Sequence, residues 1–350
     1  MQPRVARLAA AATAVPDHRV GREETAAALR RLFPAEDPAL VEQIVERSGV
    51  ETRYIALPLA ETLAVRDFSA RNRDWRRVSL ALSRLAAERA LARSGVAPGE
   101  VDLLIDVSCT GVAIPALDVD LVPALGLRSD VRRVPITESG CAAGALALGL
   151  AGAFAERGER ALIIACELCS LTRIDGDVSR TNLVASVLFG DGAAAAVLSP
   201  DGRGPRLVAA GSHLLPETSG LMGFDVGSHG LRIVLQRELP VVLAQTLRGA
   251  IEAFLARSER TVGEVGLHLV HPGGRRILDA YDEIFGLDAR ALELSRESLR
   301  RYGNLSSASV LTLLDLALES GARPPPGKLA LLVGVGPGLS LELSLWSWDA

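Results

Sequence analysis

Two stretches of this chain repeat one another element for element, and that repeat limits the folds open to it. The apolar run Val101–Val107 (VDLLIDV) follows Pro98-Gly99-Glu100 and opens into Ser108-Cys109-Thr110-Gly111. The apolar run Val265–Val270 (VGLHLV) follows Val262-Gly263-Glu264 and opens into His271-Pro272-Gly273-Gly274. Downstream, Gly140-Cys141-Ala142-Ala143-Gly144 begins a small-residue helix to about Arg157, and a strand follows at Ala161–Ala165. Gly303-Asn304-Leu305-Ser306-Ser307 begins a helix to about Ser320, with a strand at Leu329–Val333. Alternating strands and helices predict a layered α/β architecture. Four matched elements in order favour a duplicated plan over the chance echoes of any α/β chain. The halves, residues 1–200 and 201–350, meet near the Gly/Pro/Asp cluster Ser199–Pro205 (SPDGRGP).

The helix after Cys141 carries no charge until Glu156. Such a helix belongs in the middle of a layered core, with its first N–H groups at the junction of the halves. The 350 residues suit one large domain or two fused ones. A net charge of −4 gives no basic footprint for nucleic acid and nothing that favours a membrane surface. Lys328 is the only lysine; with the abundant alanine this reads as coding bias. No apolar run reaches the roughly 20 residues that span a bilayer. Arg4 and Arg7 before Leu8–Val15 mimic a short signal peptide, but the pattern runs on into a helix at Glu23–Phe33. A first buried strand over Val5–Ala14 and a cytoplasmic protein are therefore expected. The four cysteines do not form a disulfide framework at this length, so reduced thiols are expected.

Cys141 opens the buried helix, where the helix field would lower a thiol pKa. The alternative is a small core cysteine. His271 ends a buried strand ahead of Pro-Gly-Gly, where α/β folds place active sites; the alternative is a loop histidine bound to a carbonyl. His18, His213 and His229 stand in turn-like contexts, and His268 faces away from Leu267 and Leu269. Asn304 suits a helix cap without any chemistry, but the duplicated plan sets its helix start beside that of Cys141. Cys166-Glu167-Leu168-Cys169 invites a zinc or redox reading, which lacks a second ligand pair and a helix start.

Together these motifs resemble the type III polyketide synthases, the chalcone-synthase-like enzymes, over nearly the full length. The carriers are ESGCAAG around Cys141, LFGDGAAAAV at Leu188–Val197, MGFDVG at Met222–Gly227, HPGG at His271–Gly274, YGNLSSAS at Tyr302–Ser309 and GVGPG at Gly334–Gly338. SCTG at Ser108–Gly111 and ELCSLT at Glu167–Thr172 are similar to the bacterial branch. The resemblance implies a thiolase-like αβαβα fold and a homodimer. It implies Cys141 as nucleophile in the N-terminal half, with His271 and Asn304 in the C-terminal half as its partners. It implies Phe189 as an aromatic gate, and Cys109, Thr110, Cys169, Thr172 and Ser306 as cavity-lining residues. Gly273 and Gly274 fall where a loop passes the pantetheine arm.

There are departures. Ile233 stands at a second gate that is usually Phe, Val335 replaces the Phe of GFGPG, and Arg173 follows ELCSLT where Phe is usual. Arg275-Arg276 follow HPGG, where a Pro-small pair is typical. Of three basic positions near the coenzyme A phosphates only Arg47 is kept, with Leu40 and Gln43 at the others. Either Arg275 and Arg276 compensate, or the acyl donor is an acyl-carrier protein instead of acyl-CoA. The chemistry implied is iterative decarboxylative condensation of malonyl-CoA onto a Cys141-bound starter, then cyclisation. A thiolate–imidazolium pair is expected to activate the cysteine, without metal or redox cofactor. One alternative is the fatty-acid-initiating β-ketoacyl synthase III, which is expected to carry HQAN where this chain has HPGG. Another is a non-catalytic thiolase-fold partner protein, which would more readily have lost one of the three residues.

Overall fold

The computed structural model describes residues 5–288 and 290–348; Arg4, of the signal-like start, lies outside them. Nine strands form one sheet in the order Val265–Val270, Leu329–Gly336, Ser340–Ser347, Arg206–Leu214, Arg7–Ala14, Asp191–Ser199, Ala161–Leu168, Leu103–Val107 and Arg132–Ile136. The first four come from beyond residue 200 and the last five from before it. They join through one antiparallel pair, Arg7 with Arg206. Leu103–Val107 runs parallel to both of its neighbours, and Val265–Val270 runs parallel to Leu329–Gly336. Parallel strands bury both faces and so need helices on each side. That is why Leu103–Val107 and Ala161–Leu168 read as continuous apolar runs, buried throughout.

Helices Ala143–Ala155 and Ala308–Ser320 lie between the two halves, against Leu103, Ile105, Ile163 and Ala194 on one side and Ala330, Leu332 and Trp346 on the other. Helix Phe68–Ser94 covers the outer face of the first half, packing Leu82, Ala86 and Ala90 on Leu104, Leu162 and Ile164. Helices Leu239–Arg257 and Arg275–Phe285 cover the outer face of the second. The result is the five-layer αβαβα order. His268 faces this outer layer, with Nδ1 2.9 Å from the Tyr281 hydroxyl, while Leu267 and Leu269 face inward.

Three expectations need correction. The two small-residue helices begin at Ala143 and Ala308, so Cys141 sits in a 3₁₀ turn (Gly140–Ala142) and Asn304 in an irregular lead-in. The first of these helices is not buried all round: Leu150 is 37% exposed and Ala153 is exposed beside it in the single chain. Helix Leu239–Arg257, with 19 residues, is long and apolar enough by composition to cross a membrane. It instead buries Leu239, Leu243, Leu247, Ile251 and Phe254 in the core, and Arg248 pairs with Glu252 on its exposed side.

One buried carboxyl gives the fold a pH dependence. Asp106, 5% exposed in strand Leu103–Val107, accepts the Asp118 N–H at 3.1 Å through Oδ2. Its Oδ1 has no partner among the described residues. Burial, with the Asp118 carboxylate close by, pushes its pKa up to about 7. The native state therefore holds this proton more tightly than the unfolded chain. Stability is fully present below the usual carboxyl pKa and is lost as pH rises toward 7. Asp106→Asn should remove that loss. Its melting temperature relative to the parent is expected to be several degrees more favourable at pH 8 than at pH 5. An equal difference at both values would show that Asp106 is not protonated in the fold.

Candidate active site

The junction of the halves is built by close backbone approach. Gly144, in the first turn of helix Ala143–Ala155, faces Ser307 just ahead of the second inner helix; a Cβ there would lie 2.1 Å from the Ser307 carbonyl oxygen. Gly336, at the end of strand Leu329–Gly336, rests on the cysteine turn; a Cβ there would lie 2.4 Å from Ala142 Cβ. The ESGCAAG and GVGPG glycines thus press Cys141 against Ser306-Ser307 and the strand end.

The contact is direct. Cys141 Sγ lies 3.2 Å from Ser306 Oγ, and Cys109 Sγ lies 3.5 Å from the same oxygen. Ser306 holds this position at φ 49°, a left-handed conformation that costs a serine on the order of 1–3 kcal/mol. Asn304 supports it: Oδ1 accepts the Ser306 N–H at 2.8 Å and the Ser309 hydroxyl at 3.5 Å. Those bonds leave the Asn304 amide NH2 without a hydrogen bond among the described residues. So Asn304 does organise the helix lead-in, as the capping reading expects, and it also keeps a donor in hand.

His271 follows strand Val265–Val270, and its N–H bonds the Val333 carbonyl at 2.8 Å, three residues before Gly336. Its side chain is 2% exposed, makes no hydrogen bond among the described residues, and leaves Nδ1 buried and unpartnered. Burial lowers its pKa to about 4. Burial also pushes the Cys141 thiol up to about 11, against the pull of the Ser306 hydrogen bond. Burial thus works against the charged forms that the expected thiolate–imidazolium pair requires. The sulfur's hydrogen-bond contact is with the Ser306 hydroxyl.

These residues border a cavity of about 430 Å³. Cys141, Cys109, Thr110, Ser306 and Phe189 line it, together with Cys169, Thr172 and Ile233. His271 and Asn304 are not among the residues that line it. Phe189 is held by the backbone of the asparagine: Asn304 N–H donates to Leu188 O at 2.8 Å, and Gly190 N–H donates to Asn304 O at 3.0 Å. Gly274 packs near Leu188, so the HPGG loop flanks the Leu188–Phe189 segment. Cys166 is buried on the outer face of its strand while Cys169 faces the cavity, which ends the CxxC reading. All four cysteines are free.

Residues 3–202 match the N-terminal domain of chalcone and stilbene synthases, and residues 206–347 match the C-terminal domain. The chain belongs to the chalcone and stilbene synthase family, the type III polyketide synthases. It is 38% identical to a 1,3,6,8-tetrahydroxynaphthalene synthase of Streptomyces peucetius subsp. caesius, over 97% of this chain and 93% of that one. It is 35% identical to the enzyme of the same name from Streptomyces coelicolor, over 99% and 93%. The crystal structure of a tetrahydroxynaphthalene synthase from Streptomyces coelicolor, a bacterial type III polyketide synthase, superposes with a TM-score of 0.94 at 34% identity, covering 98% and 99% of the two chains. The C-terminal type III polyketide synthase domain of a Dictyostelium hybrid shares the fold, with a TM-score of 0.91 at 24% identity over 98% and 99%.

Two residues at the site escaped the sequence reading. Glu167, wholly buried, accepts bonds from Cys109 N at 3.1 Å, Cys109 Sγ at 3.3 Å, Thr110 Oγ1 at 2.7 Å and the Ser307 hydroxyl, and burial pushes its pKa up. The signal was an acid ending an otherwise apolar strand, Ala161–Leu168. Arg53 lines the cavity and donates to the carbonyls of Ser186 and Phe189, the latter at 3.2 Å, so it braces the Phe189 backbone. Arg47 does not join the cavity. It is exposed at the end of helix Pro38–Arg47, with no ion pair among the described residues. Two residues on, Gly49 touches Arg275, so the retained arginine and the HPGG-Arg-Arg segment belong to one surface.

Ile233 pairs across a two-stranded ribbon with Phe224, and both line the cavity. Phe at 233 adds bulk to a lined wall, and overfilling typically costs about 1–3 kcal/mol. Ile233→Phe is expected to shorten the accepted starter or reduce the number of extensions, read as product mass at matched folded concentration. An unchanged distribution would leave Phe189 alone in control.

Proposed function

We propose that this chain carries out iterative decarboxylative condensation of malonyl-CoA on Cys141, with His271 and Asn304 as its partners. The observation that supports this best is the contact chain Asn304–Ser306–Cys141 at the wall of the cavity. As the starter thioester arrives, Cys141 attacks its carbonyl and His271 takes the thiol proton. Coenzyme A leaves as its thiol, and the acyl group stays on Cys141. Malonyl-CoA then loses CO2. The enolate that forms needs hydrogen-bond donors, and the free Asn304 amide and an imidazole N–H supply them. The enolate attacks the acyl-cysteine, the sulfur leaves, and the lengthened chain on coenzyme A returns to Cys141 for the next cycle. These steps need no metal or redox group.

Phe189 is the gate, with Cys109, Thr110, Cys169, Thr172, Ile233 and Ser306 as the wall that shapes the chain. Gly273 and Gly274 lie along the pantetheine arm, and Arg47 with Arg275 and Arg276 faces the phosphates of coenzyme A or of a carrier protein. The exposed stripe at Leu150 and Ala153 on an otherwise apolar inner helix supports pairing with a second copy as a homodimer. The test is incubation of the purified protein with malonyl-CoA, alone and with a panel of acyl-CoAs. The names of the relatives make tetrahydroxynaphthalene the first product to seek by mass. Hydrolysed malonyl-CoA without any condensed product would overturn the reading.

A further inference from the structure

The turn Cys169–Thr172 on the cavity wall is followed by a cation that the condensation steps do not use. Arg173 lines the cavity with a side chain 13% exposed. Its contacts all fall on one terminal nitrogen: Nη2 donates to Thr62 O at 3.2 Å and Ala64 O at 3.1 Å, and pairs with Asp175 Oδ1 at 2.5 Å. Nε and Nη1 have no partner among the described residues, yet neither is among the buried polar atoms left unsatisfied. Both nitrogens therefore reach open space, and the cavity is the space this residue lines. The other wall arginines are committed elsewhere. Arg53 is bound to Ser186 and Phe189 carbonyls, and Arg232, 60% exposed, pairs with Asp225 at 3.0 Å. Arg173 is thus pinned through Nη2 and keeps its Nε–H and the two Nη1 hydrogens as free donors on a largely buried cation.

We propose that Arg173 is a specificity-determining residue that grips the growing poly-β-ketone chain by its 1,3-dicarbonyl oxygens and sets how many extensions precede release. Each malonyl-derived unit leaves an oxygen on every second carbon, so an enolised pair presents two oxygens side by side with negative charge. The free Nη1 amino group of this cation has two N–H donors for such an oxygen pair, and charge-assisted hydrogen bonds are among the stronger ones. Phenylalanine, usual at this position in the family, offers no donors. Held by Arg173, the chain is kept extended and its early cyclisation is delayed.

The inference rests on the polyketide synthase reading, and the test separates the two. Parent, Arg173→Met and Arg173→Lys are given malonyl-CoA at equal concentrations of folded protein, and products are sorted by chain length. The ratio of longest to truncated products is expected to fall about tenfold in Arg173→Met, the loss of one hydrogen bond to a charged group, and to recover in part in Arg173→Lys. If Arg173 only ties the Thr62–Ala64 segment to Asp175, total yield will fall with melting temperature while the ratio stays fixed, and the proposal fails. Should Arg173→Met not fold, Arg173→Gln keeps donors for Thr62 and Ala64 without the charge. A lowered ratio there supports the proposal, and an unchanged one overturns it. If the parent itself makes no condensed product, the synthase reading falls and this inference with it.

Discussion

Alanine at Cys141 is expected to abolish polyketide formation while leaving slow decarboxylation of malonyl-CoA. Without the sulfur no acyl-enzyme forms, but the enolate donors, His271 and Asn304, remain in place. A second thiol stands close by, because Cys109 Sγ shares the Ser306 hydroxyl with Cys141. It is a poor substitute: burial and the Glu167 carboxylate push its pKa well up, and its sulfur is held against Glu167 at 3.3 Å. Acylation by a starter should therefore appear as a mass increment on the Cys141 peptide and not on those of Cys109, Cys166 or Cys169. Full product yield from Cys141→Ala would remove the nucleophile assignment. The change leaves a methyl where a half-buried thiol stood, so its melting temperature should stay close to that of the parent.

The layering and much of the site were legible because they are written in local pattern. Apolar runs bounded by Pro-Gly-Glu and Val-Gly-Glu mark strands wherever they occur, and Val265–Val270 has the predicted bounds. Leu103–Val107 starts two residues late, because Val101 and Asp102 still belong to the incoming turn. Helix starts were less legible. Cys141 and Asn304 both precede their helices, since the glycine-mediated crossing of the two lead-ins overrides local propensity there. Charge state could not be read from neighbours in sequence. A helix start alone would acidify Cys141, but two further cysteines, a glutamate and a serine from three other segments meet around it. Glu167 and Arg53 were missed for the same reason, since their partners lie 57 to 140 residues away in the chain. Helix Leu239–Arg257 was passed over as a membrane candidate because Arg248 and Glu252 interrupt its apolar run, and the same pair marks its wet face.

Asn304→Ala should separate the two halves of the reaction. Asn304 Oδ1 holds the Ser306 N–H while the amide NH2 stays free, as the proposed oxyanion role requires. Removing one such donor typically costs a factor of about 10²–10³ in the step it serves, about 3–4 kcal/mol. Malonyl-CoA decarboxylation is therefore expected to fall by that order, while a preformed acyl-CoA still loads Cys141. His271→Ala should impair both steps, because the imidazole takes the thiol proton in the first and supplies a donor in the second. The unpartnered, buried Nδ1 of His271 supports this assignment: leaving a polar atom unsatisfied costs about 1–3 kcal/mol, which a purely structural histidine would have avoided. A cap alone would give a different signature. Loss of the Asn304 side chain would then release Ser306 from its strained backbone and lower the melting temperature, with decarboxylation per folded molecule near that of the parent. Measuring decarboxylation, Cys141 acylation and melting temperature on the same preparations decides between these outcomes.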